Sequence, residues 1–140
     1  MTYVDTSVLL AMFLNESKTG DTWGWFNRQA PGSTLISKWT LTEIASALGV
    51  KRRMQVISDS LHDEVLSKVR QFVQSDFVVL IPDAADFDEA ASLCDQWQSG
   101  LRAGDALHIA IAERRGMSIC TLDGVMSDAA THLEIVVHAP

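Results

Sequence analysis

Basic residues are scarce in this chain: 11 Lys and Arg stand against 18 Asp and Glu, for a formal charge of −7. Phosphate binding ordinarily rests on Lys and Arg, so this balance speaks against a nucleic-acid partner held by surface charge alone. Cysteine is almost absent. Cys94 and Cys120 sit in apolar patterns without a short motif spacing, which disfavours a disulfide framework and a zinc site and leaves reduced, partly buried thiols. Nor do the four histidines form a pair at ligand spacing. No uninterrupted apolar run reaches the roughly 18 residues of a membrane span. The stretch 8–14 is too short and follows Asp5 rather than a basic segment, so no signal peptide is read there and a soluble, cytoplasmic protein is expected.

What is present is 140 residues with 47% hydrophobic content, enough for one compact domain over 1–140 that buries roughly two thirds of its unfolded surface. Apolar runs of strand length alternate with helical patterns. Strands are expected at 2–4, 34–37, 77–81, 118–121 and 134–137. Helices are expected at 6–14, in a segment opened by Ser17 and Asp21 that carries Trp23, Trp25 and Phe26, and at 40–53, 59–74, 103–115 and 124–130. A further helix should start at Pro82, with Asp83, Asp86, Asp88 and Glu89 in its first turn favouring the dipole. Strands that read as continuous apolar runs between helices point to a parallel sheet covered on both faces.

Four carboxylates stand where apolar segments give way to polar ones: Asp5, Glu43, Asp105 and Asp123. A parallel sheet gathers its strand ends on one edge, so acids from distant stretches can meet there. Like charges at close range raise one another's pKa values, and a tight group of acids therefore implies a neutralising cation, here Mg²⁺ or Mn²⁺. Without these acids the charge is −7 + 4 = −3, and two divalent cations bring the site to 4 − 4 = 0, so metal can supply the positive charge that the surface lacks. Each acid also has a plainer reading. Thr40 and Glu43 have capping-box spacing, Asp105 lies near a helix start, and Asp123 precedes Gly124 as an N-cap would. Asp5, after a central strand, is the hardest to assign a purely structural purpose.

The blocks YVDTSVLLAMF, WTLTEIASAL, LRAGDALHIAIA and CTLD, in that order over nearly the whole length, resemble the PIN-domain ribonucleases, and within them the VapC-type toxins of toxin–antitoxin pairs. The resemblance places the family's acids on Asp5, Glu43, Asp105 and Asp123, with Ser7 and Thr121 in support. Gly104 stands where alanine is more usual. The resemblance implies a five-stranded parallel sheet flanked by helices, a Mg²⁺-dependent endonuclease specific for single-stranded RNA, a homodimer, and inhibition by a small VapB-like antitoxin. In the two-metal scheme the acids are ligands, with Asp5 and Asp105 central.

Other groups are assigned on chemistry alone. His108, one helical turn after Asp105, is read as a buried histidine with a satisfied hydrogen bond in preference to a ligand or proton donor. Trp23 and Trp25, two apart on a helix, should turn to different faces, which makes them candidates for a partner interface. Lys51, Arg52 and Arg53 either contact RNA phosphates or serve a helix C-terminus. Two rival functions remain. An aspartyl-phosphate or receiver-like domain would use Asp5 as nucleophile, although Ser7 replaces the second Asp of dehalogenase-like sites and no lysine follows Lys68. The other rival is a non-catalytic partner-binding PIN module.

Overall fold

The computed structural model describes residues 1–140, in which strands and helices alternate along the chain. Its five strands are β1 (Thr2–Val4), β2 (Thr34–Ser37), β3 (Val78–Leu80), β4 (Ser118–Cys120) and β5 (Val137–His138). All pair in parallel in the order β3-β2-β1-β4-β5. Seven helices cover them: α1 (Thr6–Phe13), α2 (Thr19–Phe26), α3 (Lys38–Arg53), α4 (Asp59–Asp76), α5 (Ala84–Asp95), α6 (Ala103–Glu113) and α7 (Gly124–His132). The chain winds outward from β1 to β3, then returns to lay β4 on the other side of β1. The order in which strands are added thus reverses at β1, the position where open α/β sheets leave a crevice at their carboxyl ends. No helix is long and apolar enough to cross a membrane.

Alternation along the three central strands divides the core into two halves. Tyr3, Leu35 and Ile119 face one half, with α5, α6 and α7, while Val4, Ile36 and Cys120 face the other, with α1 to α4. Helix α6 is buried without a break from Ala106 to Ala112, because its small and β-branched side chains let it sit directly on the sheet. Helix α4 instead buries only the stripe Val65, Val69 and Val73, the four-residue spacing of an amphipathic helix.

Three expected elements are displaced. Pro82 does not begin a helix: Asp83 is the N-cap of α5, in a capping box with Asp86, and the helix starts at Ala84. The last strand is not 134–137 but Val137–His138, because Glu134 takes a left-handed φ of 60° after α7 and Ile135 N–H donates back to the Ala130 carbonyl, which holds the chain in a turn. The apolar run 77–81 yields only the edge strand β3, half-exposed, with Ile81 left outside. The two tryptophans also depart from expectation. Trp25 is buried and Trp23 half-buried, and both pack into the same core half; Trp23 donates its indole N–H to the Met12 carbonyl at 2.9 Å and sits edge-on to Phe13 and Phe72. The exposed tryptophan is Trp97.

Asp86 proves to be more than a dipole partner. Fully buried, it takes hydrogen bonds from Arg115 at 2.7 and 2.9 Å, from Arg114, and from the Asp83 backbone N–H at 2.9 Å, tying α5 to the end of α6. Burial pushes its carboxyl up, but the Arg115 and Arg114 guanidiniums and the backbone donor outweigh this and hold it at about 2. A carboxyl depressed in the folded state stabilises the fold above the ordinary carboxylate range, and that contribution is lost as pH falls through about 2. Asp86→Ala is expected to cost about 3 kcal/mol at neutral pH, since it takes from Arg115 its close carboxylate partner and leaves Arg114 with Asp83 alone. In chemical denaturation the difference from the parent should shrink steadily as the pH is lowered from 5 to about 2, whereas a pH-independent difference would point to packing alone.

Candidate active site

The strand register brings the four acids together. Val4 lies opposite Cys120, so Asp5 and Thr121 emerge side by side one residue beyond. Thr121 donates to Asp5 Oδ2 at 2.9 Å, and Ser7 donates to Oδ1 at 2.7 Å while accepting the Leu122 N–H at 2.9 Å. Asp5 is 2% exposed and is also the N-cap of α1, accepting the Val8 N–H, a structural duty that the sequence did not suggest. Glu43 arrives from the second turn of α3, Asp105 from the first turn of α6, and Asp123 as N-cap of α7, where it accepts the Met126 N–H at 2.9 Å. All four line one open cavity of about 490 Å³ together with Trp39 and His108. Ser7 and Thr121, expected in support of the acids, both hydrogen-bond to Asp5.

The capping-box reading of Glu43 does not hold. Helix α3 begins at Lys38, Ser37 is its N-cap, and Thr40 closes the box as the third residue of the helix. Glu43 is therefore free of its own helix end. Its Oε2 takes the Thr6 hydroxyl at 2.5 Å and the His108 Nε2–H at 2.5 Å. Gly104 leaves the space that Glu43 Oε1 occupies, and a Cβ there would make the end of the Glu43 side chain shift. His108 is 1% exposed, and its Nδ1 lies 2.8 Å from the Tyr3 hydroxyl, which itself donates to Ser37 at 2.8 Å. The histidine is thus buried and hydrogen-bonded, as its apolar helix suggested.

Electrostatics separate the acids. Burial pushes the Asp5 carboxyl up, against the lowering pull of His108, Ser7, Thr121 and the Val8 N–H. Asp105 is also raised, by burial first and then by the negative charges of Asp123 and Glu43, partly countered by its hydrogen bond from the Arg102 N–H. Glu43 moves the other way: burial raises it, but His108, Thr6 and Trp39 pull it below its ordinary value. The charges of the other acids act on Asp105, and a cation among them would relieve that repulsion.

No group of three or more His, Cys, Asp or Glu side chains closes on a common point; Asp5 and Glu43 direct their oxygens to hydroxyls and to His108 instead. The donor set nevertheless suits a hard cation. It consists of carboxylate oxygens on an open cavity with room for water, the surroundings that Mg²⁺ and Mn²⁺ prefer and zinc does not. Lys51, Arg52 and Arg53 are not brought to this cavity. They lie at the far end of α3, roughly 12–15 Å along its axis from Glu43, where Lys51 pairs with Glu16 and Arg52 with Asp59.

Comparison with known proteins agrees with the fold. A model of the PIN domain matches residues 2–131. Among solved structures the chain is similar to FitAcB from Neisseria gonorrhoeae, with a TM-score of 0.76 at 16% identity, covering 98% of this chain and 96% of that one. VapC20 from Mycobacterium tuberculosis, a toxin that cleaves the sarcin-ricin loop, gives 0.76 at 19% identity over 92% and 95%. A toxin–antitoxin complex from Klebsiella pneumoniae gives 0.61 at 15% identity over 88% and 87%. Identities this low establish the shared fold. No curated protein matches by sequence.

Replacing Asp105 by Asn removes one charge from the crowded set while keeping an oxygen to accept the Arg102 N–H. A carboxyl raised in the folded state destabilises the fold above that raised value, and the penalty fades as pH falls through it toward the unfolded value. With chelator present, Asp105→Asn should therefore melt several degrees higher than the parent at neutral pH, and the gain should vanish on acidification to the carboxylate range. An unchanged or lower melting temperature at both pH values would mean that the acids do not repel one another.

Proposed function

Because this chain belongs to the PIN-domain family, we propose that it is a metal-dependent endoribonuclease that cleaves single-stranded RNA and acts as the toxin of a toxin–antitoxin pair. The observation that carries the reading is the convergence of Asp5, Glu43, Asp105 and Asp123 on one cavity at the carboxyl edge of the sheet. Asp5 and Asp105 are the central ligands for Mg²⁺ or Mn²⁺, and Glu43 and Asp123 complete the set. When bound, the cation supplies a more acidic attacking water and neutralises charge at the scissile phosphate and the leaving oxygen.

The chain's own residues do the rest. Ser7 and Thr121 fix both oxygens of Asp5, so its orientation does not depend on the ligand. Asp105 and Asp123, each anchored to a helix start, present their remaining oxygens to the cavity. The four negative charges repel phosphate when no cation is bound, which couples substrate binding to metal. The open cavity suits a single strand, whose backbone can bend to the acids, better than a duplex. A strand laid along α3 reaches Lys51, Arg52 and Arg53. Partner binding is supported by the Klebsiella pneumoniae relative, found in a toxin–antitoxin complex. The exposed apolar side chains Ile81, Phe87 and Trp97 are available for an antitoxin or a second copy.

Cleavage of a labelled single-stranded RNA should require millimolar Mg²⁺ or Mn²⁺ and stop with chelator. Asp5→Asn and Asp105→Asn should each lower the rate by roughly 10²–10³-fold or more, the factor corresponding to several kcal/mol of lost charge stabilisation. Full activity in both variants would remove the reading. Cation binding should also raise the melting temperature of the parent chain, because it favours the folded state by mass action.

A further inference from the structure

Glu43 is the only one of the four acids without a backbone donor. Asp5 accepts the Val8 N–H, Asp105 the Arg102 N–H and Asp123 the Met126 N–H, whereas both hydrogen bonds to Glu43 come from side chains, Thr6 and His108. It also sits farthest into its helix, on a side chain with one more rotatable bond than aspartate. Something other than a helix end must therefore hold it. Behind it runs a buried polar column: His108 Nε2 on Glu43, Nδ1 against Tyr3, and Tyr3 on Ser37, the N-cap of α3 itself. Tyr3 is 0% and His108 1% exposed. Polar side chains inside a core gain little net stability even when hydrogen-bonded, so packing alone gives no reason to prefer them over Phe and Leu at these two positions. The column starts and ends on α3, which carries Glu43, and Gly104 leaves the room that Glu43 Oε1 occupies. The buried indole N–H of Trp39 borders the same space, outside direct hydrogen-bond geometry but near enough to help hold the Glu43 carboxyl low.

We propose that His108, braced by Tyr3, is a positioning residue for Glu43: it occupies Oε2 and so presents Oε1 as the oxygen free to act at the cation. This rests on the nuclease reading for its consequence in catalysis, but it also has a binding consequence that can be read without RNA. Supporting residues behind metal ligands typically alter metal affinity or activity by about 10- to 100-fold.

Three variants test it: His108→Leu, His108→Gln, whose amide N–H can still reach Glu43, and Tyr3→Phe, which removes only the brace. Mn²⁺ affinity is measured by titration calorimetry, cleavage by kcat and by KM for RNA, and folding by thermal melting. His108→Leu should weaken Mn²⁺ binding and lower kcat by about 10-fold or more while leaving KM for RNA unchanged, and His108→Gln should restore most of both. Tyr3→Phe should weaken Mn²⁺ binding in the same direction at a near-parental melting temperature, and it carries the test if His108→Leu does not fold. Parental Mn²⁺ affinity in His108→Leu or in Tyr3→Phe would overturn the proposal, as would a loss in His108→Leu that Gln fails to recover. A parent chain that binds Mn²⁺ but cleaves no RNA would sink the nuclease reading and leave the His108 measurement standing; one that binds no Mn²⁺ sinks both.

Discussion

The carboxylate of Asp5 is the constraint around which this domain is arranged. A carboxyl group almost cut off from water at the centre of a parallel sheet is, when ionised, unfavourable by several kcal/mol unless it is compensated. Here the compensation comes from three donors on two separate pieces of chain: Ser7 and the Val8 N–H from the first turn of α1, and Thr121 from the segment after β4. Those bonds in turn fix the entry of α1, the pairing of β1 with β4, and the approach to α7 through the Leu122 N–H on Ser7. One charge thus sets the geometry of the crevice where the strand order reverses.

The second constraint is the placement of helix starts. Three of the acids serve their own helices as well as the cavity, Asp5 and Asp123 as N-caps and Asp105 in the first turn. The positive ends of α1, α6 and α7 therefore meet the same crevice. Each offsets some of the repulsion among the acids, by roughly 0.3–1 kcal/mol where exposed and more where partly buried. The sheet edge tolerates a cluster of carboxylates partly because the fold delivers the dipoles together with the charges. What they leave uncompensated shows in the raised carboxyl of Asp105, which still feels Asp123 and Glu43.

Much of this was legible before any coordinates. Asp5 and Asp123 follow apolar runs of strand length, Asp105 opens the most apolar helix, and parallel strands collect their ends, so convergence followed from local pattern and one topological rule. The misreadings share a cause, which is that they depended on partners distant in sequence or on the start of an element. Thr40 and Glu43 have capping-box spacing, but Ser37 lies three residues earlier and starts the helix first. Trp23 and Trp25 are two apart on α2, yet Trp23 meets Phe13 of α1 and Phe72 of α4 while Trp25 meets His138 of β5, so that both pack into one core half. Nothing near Asp86 announces its ion pairs, because Arg114 and Arg115 are 28 and 29 residues away. The turn at Glu134 needs a left-handed φ that no glycine signalled.

Glu43, whose spacing from Thr40 also suggested a capping box, differs from the other three acids in its surroundings. An aspartate at a helix start is located by its own backbone: the cap that makes it structurally useful also aims it. A glutamate in the second turn has no such reference, and its orientation must be imported through contacts that no local pattern encodes. Here they come from β1 through Tyr3, from α1 through Thr6 and from α6 through His108, with a glycine on α6 giving clearance. All of these contacts lie more than 30 residues from Glu43 along the chain. Three acids positioned by local rules and one positioned by tertiary structure make Glu43 the member of the set most sensitive to how α3, α6 and the sheet are packed against one another. Disturbance of that packing should therefore reach the cavity first through Glu43, even where Asp5, Asp105 and Asp123 remain in place.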